Sequence, residues 1–187
     1  MSGRKLKLLI TALVTFFSSF QTLSASGDTK TDAFITTLKP YVQQATNKYN
    51  LYPSLQMAQA ALESGWGTST LSSKANNYFG IKGSYNGQSV DMVTAEYDDA
   101  GNIYYITAAF RKYPTPYESM LDNANLLRNG LSWDSSFYSG TWRENANSSL
   151  QAADGLTGKY ATAPTYASSL KKIISDYNLQ SLDTRLE

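Results

Sequence analysis

The sequence predicts an α+β protein: a mainly helical body with one small β-hairpin lobe and a groove between the two. Three observations carry that reading. Apolar residues recur at helical spacing through the first and last thirds of the chain. One stretch, Val90 to Arg111, alternates like a strand pair and is split by a glycine-bearing turn. No internal repeat or long linker interrupts the 187 residues, which suffice for one domain with its own core.

The first residues are set apart from this body. Arg4, Lys5 and Lys7 precede an apolar run from Leu8 to Phe17, and the small residues Ser24-Ala25-Ser26 follow. A basic start, a short apolar stretch and a cleavage-like site predict a secretory signal peptide over residues 1–26. The run is short for a bilayer, so no stable membrane span is expected after cleavage; retention as an anchor is the alternative. Residues 27–31 then form a short lead-in, 32–181 the folded domain and 182–187 a tail. The expected mature chain carries 13 basic against 15 acidic residues, leaving no basic field for nucleic acid. It is expected to be a secreted monomer.

Within the domain, Phe34, Leu38, Val42, Ala45 and Tyr49 step at helical spacing, with Pro40 as a predicted kink or restart. A turn at Asn50 to Pro53 leads to Ser54, the predicted N-cap of a helix carrying Leu55, Ala58 and Leu62. That helix delivers Glu63 at its end, where Ser64-Gly65 breaks it. Residues 68–88 read as irregular, with Asn76, Asn77 and several glycines as turn signals. Val90–Tyr97 and Ile103–Arg111 are the hairpin strands, with Glu96 near the tip. Thr115-Pro116-Tyr117-Glu118 is a capping box opening a helix that Gly130 ends. Further helices are expected over about 145–154 and from about Pro164, the last with Tyr166, Leu170, Ile173, Ile174 and Tyr177 toward the core.

The chain has no histidine and no cysteine. Imidazole catalysis, thiolate attack and His/Cys-bound metal are thereby excluded, and carboxylates become the default chemical groups; no metal or cofactor is called for. Glu63 is the leading candidate. An acid between an apolar helix and the glycine-bracketed Trp66 is partly desolvated, which raises its proton affinity and suits a general acid. A purely structural role is poorly motivated, because the helix dipole disfavours acids at a C-terminus. Glu96 is the best second acid by position, although an exposed hairpin glutamate needs no special explanation. Glu118 is explained by its capping box, and Asp98-Asp99 by the turn. The Ser168–Lys171 spacing, the Asn147 sequon and the glycine-bearing loop at 80–87 lack the companions that would give them function.

Ala58-Gln59-Ala60-Ala61-Leu62-Glu63-Ser64-Gly65-Trp66-Gly67 and Asn76-Asn77-Tyr78-Phe79-Gly80-Ile81-Lys82-Gly83 strongly resemble the glucosaminidase domain of glycoside hydrolase family 73. The match continues through Thr94–Tyr97, Phe110–Tyr113, Tyr117–Ser119 and Gly158–Ala167. The resemblance implies a lysozyme-like fold, hydrolysis of the β-1,4 bond after N-acetylglucosamine in peptidoglycan glycan strands, and hence a cell-wall-associated protein. It implies Glu63 as proton donor, Glu96 as the hairpin acid and Tyr160 as the tyrosine of the late motif, with Tyr166 read as core. Trp66, Asn77 and Phe79 are candidates for holding sugar rings, Phe79 with a core role as the equal alternative. The chain departs from the family at Ala163, where members usually carry a helix-capping aspartate; Thr162 and Thr165 are the available substitutes. The rival readings are a muramidase or lytic transglycosylase on the same polymer, and a non-catalytic glycan-binding module.

Overall fold

A computed structural model describes residues 29–97, 102–161 and 163–184. The expected signal peptide, the Asp98-Asp99 turn and Thr162 lie outside the described residues. The first helix, α1, spans Thr29–Tyr49, so part of the expected lead-in is already helical. It runs unbroken through Pro40, so of the expected kink or restart the restart does not occur. One lost backbone bond does not end it, because Phe34, Leu38, Val42 and Ala45 bury one continuous stripe on both sides of the proline.

Helix α2, Pro53–Ser64, is the centre of the body: ten of its twelve residues are buried, and α1 packs against it. Its start corrects the sequence expectation. Pro53 occupies the first turn and Tyr52 the N-cap, with no side-chain cap of its own. Ser54 is inside the helix, where its backbone N–H and hydroxyl donate to the two carboxylate oxygens of Asp183 at 2.9 and 2.8 Å. Asp183 thus does the capping from the other end of the chain, with its negative charge at the positive end of the helix. Leu182 beside it is buried, so the packed domain extends past the expected boundary at 181.

A short helix α3, Thr70–Ala75, occupies part of the stretch expected to be irregular; its N-cap Ser69 accepts from the backbone N–H of Ser72. The hairpin follows as β1, Ser89–Tyr97, and β2, Ile103–Arg111. They pair antiparallel, with Ser89 opposite Arg111 and Glu96 opposite Tyr104. Helix α4, Pro116–Asn129, has the predicted capping box with both reciprocal bonds in place. Helix α5, Ser149–Asp154, is shorter than expected. Helix α6, Tyr166–Asp176, starts just after Pro164 and packs on α2 and α5. Thr165 stands at its N-cap but makes no side-chain capping bond. Ser168 bonds the Thr165 carbonyl and Lys171 pairs with Asp154, so the serine–lysine spacing is occupied structurally.

The hairpin is fastened at its base. Arg111 N–H donates to the Ile81 carbonyl and Gly83 N–H to the Ala109 carbonyl, which ties the 81–83 segment to β2. Arg111 also pairs with Asp122 of α4 at 2.5 Å, and the Tyr113 hydroxyl donates to the same carboxylate oxygen at 2.6 Å. These contacts join the hairpin to the helical body, and the groove lies above them.

Candidate active site

Glu63 owes its position to the abrupt end of α2. Gly65 caps the helix in the left-handed region (φ 57°), its N–H donating to the Ala61 carbonyl. Trp66 and Gly67 continue at positive φ, so three consecutive left-handed residues reverse the chain directly behind the acid. For Trp66 that conformation is strained. The turn is held by Ser64, whose hydroxyl donates to the Ala60 carbonyl and accepts from the Gly67 N–H. Aromatic packing adds to this, since the Trp66 ring meets Phe34 edge-on at 5.6 Å and Tyr177 at 4.5 Å. Gly67 is required on two counts: its φ is +76°, and a Cβ there would come 3.1 Å from the Phe34 ring.

Beside this turn lies a cavity of about 340 Å³. Glu63, Gly65 and Thr68 line it from the helical body, and Met92, Thr94 and Phe110 from the hairpin. Glu63 is half-buried, and burial pushes its carboxyl from an ordinary 4.5 to about 7, against the opposing effect of a hydrogen bond from Tyr166. The Tyr166 hydroxyl donates to Glu63 Oε1 at 2.7 Å. It also accepts from Gln59 Nε2 at 3.3 Å. Burial first, and then the Glu63 charge, push the Tyr166 and Tyr160 hydroxyls well above the ordinary tyrosine range. Both tyrosines stay neutral, and Tyr166 is the donor to Glu63.

The candidate residues divide accordingly. Glu63 lines the cavity. The backbone puts Glu96 on the opposite lobe, two residues beyond Thr94 in β1. Tyr160 is buried one ring behind the acid, stacked on Tyr166 at 5.8 Å, with its hydroxyl accepting from Asn123 at 3.4 Å. The tyrosine bonded to Glu63 is Tyr166, which sequence reasoning assigned to the core alone. It is buried as expected, but its polar end reaches the acid.

Phe79, Asn77 and Trp66 each make contacts within the protein itself. Phe79 is fully buried in the core and is not among the residues that line the cavity. Asn77 touches the cavity with its amide already engaged. It donates to the Ile81 and Arg111 carbonyls and accepts from the Ile81 N–H, which makes it a clamp on the hairpin base. Trp66 is half-buried between Phe34 and Tyr177 and serves the turn. Among the described residues, no cluster of acids resembles a metal site, and no helix is long and apolar enough to cross a membrane.

The family model described as mannosyl-glycoprotein endo-beta-N-acetylglucosaminidase matches residues 39–179. The chain is 46% identical to an autolysin of Enterococcus faecalis, covering 89% of this chain and 23% of the relative. It is 42% identical to a probable N-acetylmuramidase of Lactococcus lactis, covering 82% of this chain and 35% of the relative. The chain thus spans about a quarter to a third of these two longer proteins. The crystal structure of the catalytic domain of the autolysin Auto from Listeria monocytogenes superposes with a TM-score of 0.81 at 52% identity, covering 87% of this chain and 92% of that one. A helical body, a two-stranded lobe and an acid at the end of the central helix accompany these matches. The chain belongs to the glucosaminidase family of glycoside hydrolases, family 73, with its lysozyme-like fold.

Proposed function

We propose that the chain hydrolyses the β-1,4 bond after N-acetylglucosamine in peptidoglycan, with Glu63 as general acid. The observation that carries this reading is a carboxyl with a proton affinity near pH 7, facing a cavity between two lobes. Such a group is part protonated at neutral pH, where a general acid is most useful. Tyr166 occupies Oε1, which leaves Oε2 to carry the proton. That proton passes to the glycosidic oxygen as the bond to the anomeric carbon breaks and positive charge builds there. Glu96 then activates water from the opposite face, or supports attack by the substrate's own 2-acetamido group. Tyr160, stacked behind Tyr166, steadies the tyrosine that meets the acid.

The substrate class rests on the autolysin relatives and the glucosaminidase family model. The muramidase relative supports a second reading, cleavage of the alternate bond in the same polymer. The basic and apolar first residues support secretion, and the autolysin relatives support action at the cell wall.

Digestion of purified peptidoglycan, borohydride reduction and mass spectrometry of the new ends test the proposal. Reduced N-acetylglucosamine is the expected product. Reduced or anhydro N-acetylmuramic acid would replace the bond assignment with the muramidase or transglycosylase reading. Binding without new ends would make the chain a glycan-binding module.

A further inference from the structure

Gln59 lies one helical turn before Glu63 on α2, fully buried. Burying a primary amide in an apolar core is costly unless its polar atoms are paired. Among the described residues, the only partner of its Nε2 is the Tyr166 hydroxyl, at 3.3 Å, and its Oε1 has none. Core packing alone would be better served by leucine or methionine at this position. The single bond that the amide makes leads through one hydroxyl to the acid.

We propose that Gln59 is a positioning residue for the general acid: its amide donates to Tyr166, and thereby aims and strengthens the hydrogen bond from Tyr166 to Glu63. The geometry is that of a donor chain. Gln59 Nε2 fills a lone pair of the hydroxyl oxygen, so the hydroxyl hydrogen is turned toward Glu63 Oε1 at 2.7 Å. Hydrogen bonds in series polarise one another, which makes Tyr166 a better donor to a carboxylate than an isolated phenol. The ring cannot swing away, because Tyr160 lies flat against it, 15° from parallel, and is itself held by Asn123. Among the described residues Tyr166 is the titratable group that acts on Glu63, and the Glu63 charge in turn acts on Tyr166 and Tyr160; the backbone puts Glu96 on the opposite lobe. Losing the Gln59 donor therefore weakens support for the charged form of Glu63 and moves its titration upward, in line with the direction in which burial already pushes it.

The inference rests on the proposed role of Glu63, and its test separates the two. The pH dependence of kcat/KM is measured for the full chain and for Gln59→Met, Tyr166→Phe and the double variant, together with the pH dependence of thermal stability. Gln59→Met should move the basic limb upward by a few tenths of a pH unit, less than Tyr166→Phe does, and should add nothing in the Tyr166→Phe background. The stability profile should shift in the same sense, and this readout needs no activity. An unmoved limb and stability profile in Gln59→Met, or an equal further shift in the double variant, would overturn the role of Gln59. If instead Glu63→Gln keeps its turnover, the functional reading fails, while the stability profile still tests the donor chain. Should Gln59→Met not fold, Gln59→Asn keeps the amide but shortens its reach, and the same upward shift is expected.

Discussion

Tyr166 donates to Glu63 across 103 residues of sequence, at 2.7 Å. The bond favours the charged carboxyl while burial favours the neutral one, and burial is the larger effect. The Tyr166→Phe variant removes only the hydroxyl. Its kcat/KM profile should keep its shape with the basic limb displaced upward by up to about one pH unit. A limb displaced downward would contradict the bond's assigned effect.

Glu63→Gln should lower kcat at least about 10²-fold with the fold intact, the scale of a lost general acid. Circular dichroism and release of reducing ends on cell walls check the two halves of this expectation.

The same substitution should raise stability at alkaline pH. Because folding raises the Glu63 pKa from 4.5 to about 7, the folded state binds the proton more tightly, and stability falls as pH rises through that interval. Glutamine removes the penalty, worth on the order of 1–3 kcal/mol above pH 7 and nothing below pH 4.5. Urea denaturation of both proteins at pH 4 and pH 8 measures it, and an equal gain at both pH values would contradict the assignment.

Gly67→Ala should destabilise by roughly 1–3 kcal/mol, through a left-handed backbone and a methyl group driven against Phe34. Activity should fall with it, since the turn fixes the end of α2. A melting temperature equal to that of the parent would refute this reading.

Asp122→Ala leaves the Arg111 guanidinium and the Tyr113 hydroxyl without their shared acceptor. Partial exposure of the pair limits the cost to about 1–3 kcal/mol. Hydrogen exchange should quicken first in β1 and β2, because this pair fastens them to α4. Uniform loss of protection across all helices would argue against a local anchor.

The hairpin and α4 were legible because their signals are local: alternating β-formers around a glycine turn, and a capping box with both members present. Helix α3 has only six residues and no apolar period, so Ser69 was its single written sign. The helix does not restart at Pro40, because the buried stripe carries it past a local breaker. Ser54 looked like a cap because Asp183, its partner, lies 129 residues away. At the site, the place of Glu63 at the end of α2, just before the Gly65 turn, was legible from that glycine. The bond from Tyr166 was not, since helical periodicity assigns a buried face and does not report where a hydroxyl ends. The contacts of Asn77 with the Arg111 carbonyl and of Trp66 with Tyr177 were not legible, since they join segments distant in sequence.

Helix α2, enclosed over nearly all its residues, ends in the acid. Little of it can therefore drift in sequence without disturbing both the core and the reacting group. The hairpin faces the same cavity but has exposed side chains at Val93, Tyr104 and Tyr105. Variation has room there and almost none on α2, so divergence among relatives should gather on the lobe that carries Glu96.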